Sequence, residues 1–174
     1  GGFFCAHMRI IRTMNSLNAK EPHGLDQTDR RLLALLQEAA TRTAQTLGER
    51  LNLSASQAAR RRQRLEAQGF ISATCAILDP TRIGQGVQAF IQVVMATHTE
   101  ANARDFARLT RTAPEIVGAW TLTGEAEFLL GVYCRDLDAL NRFVQSVLLP
   151  LPAVSRVQSQ IVMDRIKPDA PLPV

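Results

Sequence analysis

Two periods divide the chain. From Leu25 to Ile71 the apolar residues recur at helical spacing. Leu32, Leu33, Leu35 and Leu36 form one stripe, with Arg30, Arg31 and Gln37 turned outward. Asp26 can cap this first helix, because a carboxylate accepts from exposed first-turn amides, and the pattern fades near Ala40. A short helix is predicted from Thr43 to Leu51, with Leu47 and Leu51 sharing a face and Gly48 leaving room for a close neighbour. Asn52 suits a positive φ in a tight turn, which Leu53 plugs. Ser54 and Gln57 then make an S-x-x-Q capping box, and the helix they open ends near Gln68, before Gly69. A short helix, a tight turn and a longer basic helix make a helix-turn-helix pattern over 25–71.

From Ala73 the period shortens. ATCAILDP reads as a linking strand that stops at Pro80, within a hinge segment of 72–86. Strands are predicted at Val87–Ala96, Ile116–Leu122, Glu127–Tyr133 and Val154–Met163, the middle two joined by a tight turn containing Gly124. Glu100–Thr112 and Leu137–Leu148 are amphipathic helices. The order βαββαβ over 87–167 implies a ferredoxin-like unit, so the fold class is α+β. Its helices cover one sheet face. The other face needs a cover, for which a second copy is the usual answer. Residues 168–174 read as a tail and 1–24 as a flexible arm.

Composition adds limits. The chain has 174 residues, 46% hydrophobic and 21% charged, which suits a globular protein with a core. The net charge of +4 makes an acidic partner plausible but is weak evidence alone. Cys5, Cys75 and Cys134 have no CxxC spacing, and His7, His23 and His98 are scattered, which argues against a disulfide framework or a metal site and fits a reducing cytoplasm. No cofactor is expected. No apolar run approaches the ~18 residues of a membrane span, and the start lacks a cleavage signal; Met8 and Met14 are both possible natural starts.

The chemistry concentrates in SASQAARRRQRLEAQGF, Ser54 to Phe70. At ~100° per residue, Gln57, Arg60, Arg61 and Arg64 share a narrow arc, with Ala58 and Leu65 about a quarter turn away. A helix of this width enters the major groove of double-stranded DNA, where Arg can read guanine, Gln adenine, and both can hold phosphates. Ser54, Ser56 and the first-turn amides suit a phosphate oxygen. An ordinary solvated cationic face is the simpler alternative. Arg62 falls inside the apolar stripe, where its stem can pack while its head reaches the edge or an acid such as Glu66.

The sequence resembles the Lrp/AsnC family of transcriptional regulators from Leu25 to about Lys167. The resemblance is carried by LDQTDRRLLALLQ, LNLSASQAARRRQRLEAQGFI, AILDPTRIG, TLTGEAEFLL and LLPLPAVSRVQSQIVM. It implies a winged-type helix-turn-helix domain followed by an effector-sensing and oligomerisation domain of the type called RAM. It further implies dimers that assemble into tetramers or octamers, with a small effector, often an amino acid, between dimers. The family's T/S-G-x-x-D effector turn reads here Thr123, Gly124, Glu125, Ala126, Glu127, and Ser159 is the further effector contact expected. Glu127 departs from the usual Asp, Arg62 from Val or Ile, Asn52 from Gly and Ala153 from Gly. A plain hairpin with glycine chosen for its backbone angle is the alternative for the turn. Two other functions fit the same architecture. A sirohaem-decarboxylase-like enzyme would show His or Arg at a tetrapyrrole pocket, and only His98 is present there; a DNA-architectural protein would show little sequence preference.

Overall fold

The computed structural model describes residues 24–97, 99–167 and 169–174. The expected arm up to residue 23, with Cys5, His7 and His23, and the expected loop residue His98 lie outside the described residues. The chain divides into two compact units. One runs to Cys75 and takes in Ile166–Val174; the other is Ala76–Arg165.

In the first unit, α1 (Gln27–Glu38) starts with a reciprocal cap. The Asp26 carboxylate accepts the Asp29 amide at 2.7 Å, and the Asp29 carboxylate accepts the Asp26 amide at 3.3 Å. This satisfies two of the amide donors that a helix start leaves open. Thr43 caps α2 (Ala44–Leu51), and Asn52 takes the left-handed conformation at φ 55, as the sequence implies. Ser54 and Gln57 cap α3 (Ala55–Ala67) by the expected box. The core is Leu32, Leu33, Leu36, Leu47, Leu51, Ala58 and Leu65. Leu32, Leu47 and Leu65 are fully buried, each contributing about 1.5–3 kcal/mol relative to exposure. Gly48 is where the α2–α3 turn folds back, and a Cβ there would stand 2.6 Å from the Leu53 carbonyl oxygen. The tail is tied to this unit: the Gln37 amide donates to Leu172 O at 3.0 Å and accepts from Leu172 N at 2.7 Å.

The expected linking strand does not form. Ala73–Asp79 carries no ladder, and Ile77 and Leu78 are 82% and 62% exposed. Alternation alone does not make a strand; a neighbouring backbone must supply the hydrogen bonds.

The second unit follows the expected order. It comprises β1 (Val87–Met95), α4 (Glu100–Thr112), β2 (Ile116–Thr121), β3 (Phe128–Cys134), α5 (Leu137–Phe143) and β4 (Val154–Ile161). The sheet is antiparallel in the order β2-β3-β1-β4. The single helix expected over 137–148 instead widens into a π turn at Val144–Leu148, closed by Leu149 N donating to Val144 O at 3.0 Å. Leu148 stays fully buried through that change. One sheet face packs Ala89, Ile91, Val93, Leu130 and Val132 against Phe106, Leu140, Phe143 and Leu148. The opposite face carries Gln88, Phe90, Gln92, Val94, Leu129 and Tyr133, all half-buried. There the Trp120 ring lies over Gly118 and Gly131, where any Cβ would collide with it or crowd it.

Candidate nucleic-acid interface and effector turn

Helix α3 presents the DNA-facing candidates. Ser54, Ser56, Gln57, Arg60 and Arg64 are exposed and Arg61 is half-buried. The cap occupies several of them. Gln57 Oε1 accepts from Ser54 N at 2.9 Å and from Ser54 Oγ at 3.1 Å, and Ser54 Oγ lies 3.1 Å from Ser56 Oγ. Reading adenine with both ends of the Gln57 amide would therefore require opening the box, whereas its NH₂ group is not used by the cap.

The three arginines of the basic arc are not equivalent. Arg61 Nη1 donates to Asp26 at 2.6 Å and to Asp29 at 2.8 Å. Arg64 Nη2 donates to the other Asp29 oxygen. Asp29 is fully buried, so one carboxylate of α1 anchors two arginines of α3. Only if both arginines left would Asp29 become a buried, uncompensated charge. Arg64 is the looser of the two, since its side chain is 44% exposed against 29% for Arg61. Arg61 holds the Asp26 carboxyl below its ordinary value, helped by the Asp29 amide. The two carboxylates in turn raise the Arg61 guanidinium. Among the described residues, Arg60 makes no side-chain hydrogen bond or ion pair.

Arg62 resolves as one of the expected alternatives. Its Nε donates to Glu66 at 2.9 Å, one helical turn on, and its Nη1 reaches Ala40 O at 3.5 Å. Sequence reasoning missed Asp29. The only available signal was an acid three residues after the Asp26 cap, and its arginine partners lie more than thirty residues away.

In the second unit the turn between β2 and β3 closes through Leu122 N donating to Glu127 O at 2.7 Å, with Gly124 at φ 126. Thr123, Gly124 and Glu125 are exposed and Ala126 is half-buried. Glu125 pairs with Arg156 of β4 at 2.5 Å. Glu127 is half-buried, and its carboxylate accepts the Met95 amide at 3.3 Å. Ser159 is exposed on β4 opposite Ile91, so β1 stands between it and β3. That is about 10 Å across two strand spacings, so the fold does not bring Ser159 directly onto the turn within one chain. Among the described residues there is no cluster of metal-ligating side chains, and no helix is long and apolar enough to cross a membrane.

Comparison with known proteins matches this two-part organisation. An AsnC-type helix-turn-helix domain matches residues 25–66, and an Lrp/AsnC ligand binding domain matches residues 88–172. The chain belongs to the Lrp/AsnC family. Its Lrp/AsnC relatives include the DNA-binding transcriptional activator DecR of Escherichia coli (strain K12), 34% identical over 86% of this chain and 99% of that protein. The glutamate uptake regulatory protein of Zymomonas mobilis is 31% identical over 86% of this chain and 91% of that one. Among solved structures, the transcriptional regulator NMB0573 of Neisseria meningitidis, in complex with L-Met, superposes with a TM-score of 0.82. It is 37% identical and covers 86% of this chain and 96% of its own. The basic arc of α3 falls inside the Lrp/AsnC DNA-binding match, and Thr123–Glu127 and Ser159 fall inside the ligand-binding match.

Proposed function

We propose that the chain is a sequence-specific DNA-binding transcriptional regulator, acting in the cytoplasm, whose assembly or DNA affinity responds to a small effector, an amino acid, bound between dimers. The observation that carries the DNA-binding reading is α3 itself: capped, locked on α1, and exposing Arg60 and Gln57. The effector acts by linkage, shifting the DNA-binding population by no more than its differential affinity for the two assembly states. The half-buried sheet face around Phe90, Val94, Leu129 and Trp120 supports pairing with a second copy. The L-Met in complex with NMB0573 supports an amino acid here.

The test is fluorescence anisotropy on a duplex selected from a random pool by the protein itself, against a scrambled duplex. A regulator prefers the selected duplex by about 10³-fold or more. A preference within about tenfold would establish an architectural binder instead. Screening the twenty amino acids by thermal shift identifies the effector, because binding to the native state raises stability by mass action. Glu127→Ala is expected to abolish that shift, with a modest fall in the unliganded melting midpoint because the Met95 amide loses its acceptor. A normal shift would remove Glu127 from the effector site.

A further inference from the structure

We propose that the C-terminal tail is a strap: Gln37 clasps Leu172, so that the ligand-binding unit holds the helical unit at a second point and passes the state of the effector turn to α1 through β4 and the tail. The strap itself goes beyond the regulator reading; its effector role rests on that reading. Chain connectivity sets the frame. The polypeptide leaves the helical unit at Cys75–Ala76 and comes back at Arg165–Ile166, so that Ile166–Val174 belongs with the helices. A body tied at one point swivels. A second tie leaves it only the rotation about the line joining the two points. The returning segment continues directly from β4, where Val162 N still donates to Gln88 O at 2.9 Å.

The clasp is chemically specific. Proline has no backbone N–H, so within Pro171–Leu172–Pro173 only Leu172 offers both a donor and an acceptor. Gln37 uses both: its Oε1 accepts Leu172 N at 2.7 Å, and its Nε2 donates to Leu172 O at 3.0 Å. The prolines restrict the segment to extended backbone, so little freedom is lost when it docks. Leu172 keeps 48% of its surface exposed, so the two hydrogen bonds rather than burial carry the hold. Two such bonds give a closed-to-open ratio on the order of tenfold, which leaves the strap closed in most molecules yet able to release. Helix α1 is the lever. Gln37 lies in its last turn, and Asp29 in its first turn grips Arg61 and Arg64 of α3. A hold on α1 is thus a hold on α3. At the other end of the route, Arg156 of β4 meets Glu125 of the effector turn at 2.5 Å.

The experiment uses the full chain and two variants that act on opposite sides of the clasp. Gln37→Ala removes the side-chain amide. Leu172→Pro removes the tail N–H while keeping the segment extended. Neither change strains the fold: alanine is a good helix former for α1, and Leu172 lies outside every helix and strand. The first readout needs neither DNA nor effector. Backbone amide NMR relaxation over α1, α2 and α3 reports how fast the helical unit tumbles. With the strap closed it should tumble with the sheet. In both variants its rotational correlation time should fall by about twofold or more, while that of the sheet is unchanged. Equal correlation times in the wild type and both variants overturn the strap. A fall in one variant alone places the effect outside the clasp and overturns it too. The second readout is the ratio of affinities for the selected duplex with and without the amino acid found by thermal shift. That ratio, commonly about 5–150-fold in a coupled system, should fall toward one in both variants, with the thermal shift retained. An unchanged ratio overturns the transmission. If no amino acid changes the DNA affinity of the wild type, the effector reading fails instead, and the relaxation measurement decides the strap by itself.

Discussion

Arg61 sits where the basic arc of α3 borders its apolar stripe, and this position explains its double attachment to Asp26 and Asp29. The same attachment sets a pH dependence. The folded Asp26 carboxyl titrates below its usual 3.8, chiefly through the Arg61 hydrogen bond. The stabilisation is therefore fully present above that value and is lost as pH falls below it, through the folded pKa. In acid titrations followed by circular dichroism, Asp26→Asn should flatten the loss of thermal stability below pH 3.8. Because Asp26 is exposed, the difference should shrink at high salt. Identical acid profiles would show that the Arg61 contact adds nothing. Arg62 shows what a residue-level reading can and cannot supply. Its partner Glu66 was legible because it stands one turn away on the same helix. The partners of Arg61 and Arg64 were not, because the rotation of α1 against α3 is set by the packing of Leu32, Leu47 and Leu65, which no local spacing encodes.

At the scale of elements, the caps and turns were the most legible features. Ser54 and Gln57, Asp26 and Asn52 behave as their local chemistry dictates, since each acts within about one turn of the backbone. The Ala73–Pro80 segment was misread for the opposite reason: its β pattern is local, but its partner would have to come from elsewhere. The π turn at Val144–Leu148 was likewise hidden, because apolar spacing does not distinguish it from the end of an ordinary helix. Gly48 tests the turn between α2 and α3. A methyl there meets backbone, the Leu53 carbonyl, rather than a movable side chain. Gly48→Ala should therefore cost about 1–3 kcal/mol in chemical denaturation, the usual scale of overpacking. Its direction is opposite to the gain expected of the same change at an open helical site. A stabilised variant would show that the two helices can separate without cost.

At the scale of the whole molecule, the proposed self-association places the burden on one sheet face. Phe90 lies in the central strand β1 and is half-buried on that face, opposite Gly131. Phe90→Arg should shift sedimentation from dimer or larger to monomer, since a desolvated charge in an interface core costs more than a surface contact returns. It should also weaken DNA binding, because paired helix-turn-helix heads gain affinity from their effective concentration. An unchanged sedimentation coefficient would place the contact between copies elsewhere.

The strand order has a further consequence, in time. β1 is made before α4, yet its two neighbours in the sheet, β3 and β4, both follow it in the chain. At about 5–20 residues per second of synthesis, the three-helix unit can close by its own short-range contacts while β1 still lacks both flanks. The ladder pairing Ala89 with Ile161 is then among the last to form. A nascent chain arrested before Val154 should carry a folded set of α1, α2 and α3 beside a sheet whose central strand is open to any passing backbone. Pulse proteolysis of such an arrested chain should cut within β1 and spare α3.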